Sequence, residues 1–440
     1  MNRFLPVTLI CMLAIAVNAR AARPTDVADA FDSYERGGVT IPNAFEVHFN
    51  LAFDAQTASG IISREPVNRP TVDTGCVATS VRNCVPLDEV AWKSHVYWLR
   101  LQAEIGLYKD LSLTIGTAYA ISQKFQYNYA DGITPETSSV DTTTGEYFFL
   151  EGEGTRTKQK GWGPLDFTLR YAILSEDRDD TAPSWVIGFG LSTPWISKTY
   201  RPDVDPATGA QPAGMGDGVY RLLFSTAASK RWYVWEGQGD WRSRDMQGFV
   251  EPYFTLSYAL PMVGPRAPEQ MRESPDHPFG HGPSHVFETR TGAEIIPYMN
   301  TRALRKVGLL VGGLGRFYTA GRNYSILTPA LRELTYTQEY FDIGAQVALL
   351  VRISAFVNVT LGMDVVYSTP HLLTNEPEGI DTDGDGTLDQ RNPYFCGNTS
   401  GDKCYADTSS IGISYDQAGT RFRDSGHVTF NWYGNLAFTF

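Results

Sequence analysis

Long uninterrupted apolar runs are scarce in this sequence. The one stretch of membrane-helix length, Ile343 to Val366, carries Arg352 near its centre together with Gln346, Asn358 and Asp364. Its apolar residues fall on odd positions on both sides of Arg352, which points to two strands and a tight turn rather than a spanning helix. Basic residues are also short: 37 Lys and Arg stand against 49 Asp and Glu, a net charge of −12, and nucleic acid is a poor partner for such a chain. Cysteine is sparse, at five in 440 residues. Nor is there a G-x-S-x-G elbow, an H-E-x-x-H pair or a phosphate-binding glycine loop, so no enzyme class announces itself.

What is present is alternation. The chain holds 23 Tyr, 23 Phe and 9 Trp with only 20% charged residues, yet its mean hydropathy is −0.23. Apolar residues on every second position give that balance, because one face of each strand is greasy and the other polar. The final stretch shows it most clearly. From His427 to Phe440 the even positions read Val428, Phe430, Trp432, Gly434, Leu436, Phe438, Phe440, and the odd ones Thr429, Asn431, Tyr433, Asn435, Ala437, Thr439. The same grammar runs back through Phe45 to Asp54, Tyr97 to Leu107, Leu111 to Ile121, Leu165 to Ile173, Trp185 to Leu191, Tyr220 to Thr226, Val250 to Leu260, Phe287 to Met299 and Val307 to Phe317.

Long and short connections alternate between these segments. In lipid every backbone N–H and C=O needs a protein partner, so strands can span only in a closed sheet. The expectation is an all-β, transmembrane, antiparallel up-and-down barrel of twelve strands, or fourteen if the stretch Trp235 to Gln247 hides two more. Short turns face the periplasm, and the long loops 55–90, 128–160, 198–217, 262–284 and 369–424 face outside. Arg3, the apolar run Phe4 to Val17 and Ala19-Arg20-Ala21 read as a cleaved export signal over residues 1–21. Residues 22–40 are then a periplasmic lead-in and 41–440 the barrel, placed in a bacterial outer membrane with its lipid as neighbour.

Four groups of residues are candidates for chemistry. Glu46, Asp54, Arg100, Glu104, Asp166, Arg170, Glu294, Asp342 and Asp364 fall on the polar faces. They either line a pore that selects solutes or neutralise one another as a plug. Asp381, Asp383, Asp385 and Asp389, with Gly386 in the sixth place, form a D-x-D-x-D-G-x-x-D run that suits calcium. Asn392 replaces the bidentate acid at the twelfth place, so the site is a weak extracellular type or else a solvated acidic turn. Asp276, His277, His281 and His285 collect three of seven histidines, in a loop whose prolines and glycines forbid a helix, around a transition metal or as a plain polar loop. Cys76 with Cys84 and Cys396 with Cys404 read as two loop-stapling disulfides in an oxidising compartment.

One further segment carries a likeness. Gly161-Trp162-Gly163-Pro164-Leu165-Asp166, Arg170-Tyr171-Ala172-Ile173-Leu174 and Gly188-Phe189-Gly190-Leu191-Ser192-Thr193-Pro194 together resemble the outer-membrane family associated with the meta-pathway of phenol degradation. In that family an acid stands where this chain has Pro164. The resemblance implies a barrel that moves or binds aromatic or hydrophobic compounds, distantly like long-chain fatty-acid transporters. Passage of a small solute is the leading expectation. The alternatives are a non-transporting barrel with calcium-stiffened binding loops and an outer-membrane hydrolase. Phe438-x-Phe440 resembles the C-terminal signal read by the barrel-assembly machinery.

Overall fold

In the computed structural model the chain is a closed antiparallel barrel of twelve strands. The structure describes residues 46–64, 87–134, 156–176, 181–199, 215–236, 246–268, 282–300, 304–328, 334–354, 356–373 and 422–439, with shorter pieces at 25, 27–28, 32–36, 39–43, 179, 271, 379–380 and 390–391. The ring strands are β1 (Val47–Arg64), β2 (Leu87–Tyr108), β3 (Leu111–Tyr129), β4 (Arg156–Leu174), β5 (Ser184–Thr193) and β6 (Val219–Ser229). They continue with β7 (Met246–Val263), β8 (Val286–Asn300), β9 (Arg305–Tyr318), β10 (Tyr340–Ser354), β11 (Val357–Ser368) and β12 (Phe422–Thr439). Each pairs with its sequence neighbour. β12 meets β1 from Thr439↔His48 to Phe422↔Arg64, and that ladder closes the ring.

The alternation has the expected meaning. Phe53, Leu169, Phe189, Phe224, Phe254, Phe287, Leu309, Ile343, Leu361, Phe430 and Trp432 stand exposed on the outer wall, while the residues beside them in sequence point inward. Such an apolar belt belongs in hydrocarbon, where a closed sheet leaves no backbone group unpaired. On β5 to β10 the belt includes a cross-strand row of rings. Phe189 meets Phe224 at 5.3 Å, Tyr258 meets Phe287 at 4.4 Å, and Phe317 meets Phe341 at 4.7 Å.

Several boundaries differ from the sequence reading. The stretch Trp235 to Gln247 adds no ring strand: Trp232–Glu236 pairs with the start of β7, and the count stays at twelve. β1 continues ten residues past Asp54, to Arg64, so it occupies the front of the expected loop 55–90. Arg352 lies within β10, opposite Asn358; β10 runs to Ser354 and β11 begins at Val357. The lead-in holds a small hairpin, Asp32–Arg36 with Val39–Asn43. Residues 1–24, the region of the export signal, lie outside the described residues, as do the four cysteines and Phe440.

Two bulges change which face a side chain takes. In β3 the register slips between Ala120 and Gln123, so that inward positions change from even to odd and Phe125 and Tyr127 turn into the barrel. In β12 the slip lies between Ser425 and Val428, with Gly426 at φ 60°. A β-bulge inserts one residue and reverses the pleat beyond it. Asp424 and His427 therefore both face inward although three residues apart, and glycine takes the left-handed backbone without strain.

Candidate functional site in the barrel mouth and lumen

The fifth mouth connection, between β9 and β10, is one that the alternation did not single out as a long loop, and it shapes the site. Its stem pairs Gly321–Asn323 with Thr335–Thr337. Its tip turns on Ser325 and Thr328, where Thr328 Oγ1 accepts from Ser325 N at 2.8 Å and Ser325 Oγ accepts from Leu327 N at 3.1 Å. That turn places Ile326 and Leu327 inside an apolar cluster with Ala58 and Ile62 of β1, Val90 and Trp92 of β2, Phe125 and Tyr127 of β3, Phe422 of β12 and Leu373. Tyr127 Oη donates to Ile326 O at 3.0 Å.

Beside this loop lies a cavity of about 820 Å³ including its open side. Rings form one wall. Tyr318 and Tyr340 stack at 4.4 Å with 10° between planes, and His371 stacks on Tyr340 at 4.0 Å and 11°. The Asp217–Arg221 ion pair stands on the β6 side and the Asp424–His427 pair on the β12 side. Asp424 Oδ1 accepts the Trp92 indole N–H at 3.0 Å, and Asp424 Oδ2 lies 2.9 Å from His427 Nδ1. His427 Nε2 is 3.3 Å from Thr429 Oγ1. The imidazole is thus held on both nitrogens, with Asp424 fixing its orientation. His371 belongs to a short segment beyond β11 that pairs with the top of β12, and burial pushes its imidazole below the ordinary histidine range.

Below the mouth, the lumen is a network of ion pairs. The sequence-derived lining residues are brought together in part. Arg100 binds Asp54, Arg170 Nη1 lies 3.1 Å from Glu104, and Glu46 Oε1 accepts from His48 Nε2 at 2.9 Å. Ser112 donates to Glu104 at 2.5 Å. Lys306 approaches Glu294 at 3.7 Å, Asp342 accepts from Ser368 at 2.6 Å, and Asn431 donates to Asp364 at 3.3 Å. Asp166 faces Ser192 across the β4–β5 ladder.

Sequence reasoning missed the densest part of the network. Glu288 bridges Arg290, at 2.7 Å, and Arg316, which also reaches toward Asp342 at 3.9 Å. Glu288 and Arg290 share the even parity of Glu294 on β8, so that parity carried along the strand would have found them. Nothing in the sequence marks Asp424, because a bulge separates it from the rest of β12. At the short-turn end, Thr25 Oγ1 lies 2.9 Å from Ser229 Oγ and Ala28 N donates to Glu104 at 3.4 Å. Both partners face inward, so Thr25 and Ala28 stand in the lumen at the short-turn end.

The loop candidates fare differently. His285 sits at the start of β8, 2.7 Å from the Tyr258 hydroxyl and stacked on its ring, while Asp276, His277 and His281 lie outside the described residues. Asp381, Asp383, Asp385 and Asp389 also lie outside them. The backbone on either side is described: Gly379 pairs with Arg391 and Ile380 with Gln390. Among the described residues no group of three or more His, Cys, Asp or Glu stands ready for a metal ion.

No family model matches the chain, and no curated protein matches it. Among solved structures it is similar to an outer membrane channel from Pseudomonas putida F1, at 10% identity over 90% of this chain and 95% of that one, with a TM-score of 0.39. It is also similar to the outer membrane protease OmpT from Escherichia coli, at 8% identity over 90% and 96%, TM-score 0.28. A Pseudomonas aeruginosa FadL homologue follows at 6% identity over 90% of each chain, TM-score 0.28.

Proposed function

We propose that this chain is an outer-membrane channel that passes small solutes, aromatic or hydrophobic ones among them, by way of the mouth cavity. The observation that carries the reading is the cavity itself: three stacked rings, apolar lining from Val286 and Leu373, and two ion pairs, all at the long-loop end of the barrel. A concave, largely apolar pocket with a few placed polar groups is what a small ligand needs. The paired lumen charges then act as a lining with fixed polarity, and Thr25, Ala28 and the ion pairs narrow the route below. Uptake into liposomes containing the purified barrel tests this. Tyr340→Ala opens the ring stack and should lower uptake of a small aromatic probe severalfold, while uptake equal to wild type would count against the cavity as the route.

A second reading has one observation in its favour. Asp424, His427 and Thr429 form a hydrogen-bonded series on β12 in which His427 can take a proton from a hydroxyl, as a hydrolase requires. Turnover of a small chromogenic ester that disappears in His427→Ala would support it, and equal rates in the two proteins would remove it.

The stapled, calcium-stiffened loops remain part of the proposal for the outer surface. The pairing of Gly379 with Arg391 and Ile380 with Gln390 brings together the two ends of the segment that carries Asp381, Asp383, Asp385 and Asp389, which favours a calcium site there. Calcium bound there should raise the melting temperature relative to the protein in chelator. We assign the last strand, through Phe438-x-Phe440, to recognition by the barrel-assembly machinery.

A further inference from the structure

The mouth is divided by the described part of the β9–β10 connection, 319–328 and 334–337, and the two sides are unlike. The stem of this hairpin is fixed to the start of β8. Arg322 N donates to Gly282 O at 3.0 Å, Asn323 Nδ2 to Ser284 Oγ at 2.6 Å, and His285 N to Thr319 Oγ1 at 2.9 Å. Arg322 Nη1 crosses the stem to Leu334 O at 3.0 Å. The stem therefore belongs to the β8–β10 wall, but the tip does not. Its contact with Tyr127 lies on β3, six strands from β9 in a ring of twelve. The loop spans the full diameter of the mouth.

At the far side the tip is apolar and fully withdrawn from water, with Ile326 and Leu327 at 2% and 0% exposure against Ile62, Val90, Trp92, Phe125 and Tyr127. On the near side the same loop lines the cavity with Asn323, Tyr324 and Ser325, and Ile326 stands at the boundary, reaching the cavity edge as well as the apolar cluster. An apolar constriction with no polar partner excludes hydrated ions and polar solutes, since none of their water can be replaced there. We propose that Ile326 and Leu327 form an apolar seal over the β1–β3 half of the mouth, confining passage to the cavity on the other half. This inference rests on the passage reading for its meaning, but the seal has consequences of its own. The two residues set specificity by closing the route that any polar solute of suitable size would otherwise take. Tyr127 is a positioning residue, acting through the backbone of the tip.

Single-channel recording and liposome swelling on the full-length purified barrel test the seal. The double variant Ile326→Asn, Leu327→Asn should raise conductance at least twofold and admit sucrose that the wild type excludes. Tyr127→Phe, which removes one hydrogen bond and no ring, should give brief openings to the higher conductance. If the double variant keeps the β-sheet circular dichroism of the wild type and also its conductance and sucrose exclusion, the seal is overturned. If the double variant does not assemble, Tyr127→Phe decides, and a trace like the wild type overturns the proposal. If the wild type passes no aromatic probe yet the double variant opens to sucrose, the passage reading fails while the seal stands.

Discussion

The two halves of the barrel mouth are built from the same strand pattern and do opposite things. Against β1, β2 and β3 the space is filled: Trp92, Phe125, Tyr127, Ile326 and Phe422 pack with almost no exposure. Against β8, β9 and β10 the aromatic side chains stack with each other and leave a cavity beside them. The difference does not come from composition, since both walls are rich in aromatic residues. It comes from what the β9–β10 loop presents to each wall. Two apolar residues at its tip close one side, and polar residues on its flank leave the other open.

The comparison can be broken most severely at Trp92. Its indole packs in the sealed half and donates to Asp424 at the edge of the open half. Trp92→Ala should cost about 3–5 kcal/mol of stability by loss of packing. It should also free His427 of a neighbouring ring that stands 4.8 Å away at 83°. Chemical unfolding in detergent reads the first effect. If stability is unchanged, the apolar cluster is not a packed unit.

A smaller effect is expected at Gly426, which holds the bulge at φ 60°. Gly426→Ala has room for the methyl group, with nothing within 4 Å of the added carbon, so the expected loss of about 1–2 kcal/mol is backbone strain alone. Asp424 and His427 should then lose their shared orientation. A loss of stability without any change in uptake or conductance would separate the bulge from the cavity.

The smallest effect is a pH dependence on the open side. Burial lowers the His371 pKa in the folded protein, so the native state binds fewer protons than the unfolded chain. Stability should therefore fall as pH drops below the ordinary histidine value of 6.5 toward the lowered one, and be unaffected above it. His371→Gln should flatten that slope in thermal melts recorded between about pH 7.5 and 5. A slope that survives the substitution would place the titrating group elsewhere.

Much of this was legible in the chain. Period-two alternation gave the closed barrel, the outward belt and the inward polarity of Asp54, Glu104, Asp166, Glu294, Asp342 and Asp364. Those positions are all more than nine-tenths buried, as a polar face inside a closed sheet must be. The turn at Lys109–Asp110 was readable because Asp tolerates the left-handed backbone seen there at φ 55°. The loop 319–339 was harder to read, because a connection that folds inward has no periodicity to distinguish it from one that stays outside. Arg221, Asp424 and His427 were illegible as a site for a different reason: they lie on strands distant in sequence, and a bulge reverses the parity of one of them.

By itself, then, the sequence determined that the sheet closes and which face meets lipid, because strand periodicity is local and hydrocarbon admits no open edge. Tertiary structure alone decided how the mouth is divided. That division depends on where one loop tip lands across a ring of twelve strands and on two single-residue slips in register, and neither has a local cause that a strand pattern can express.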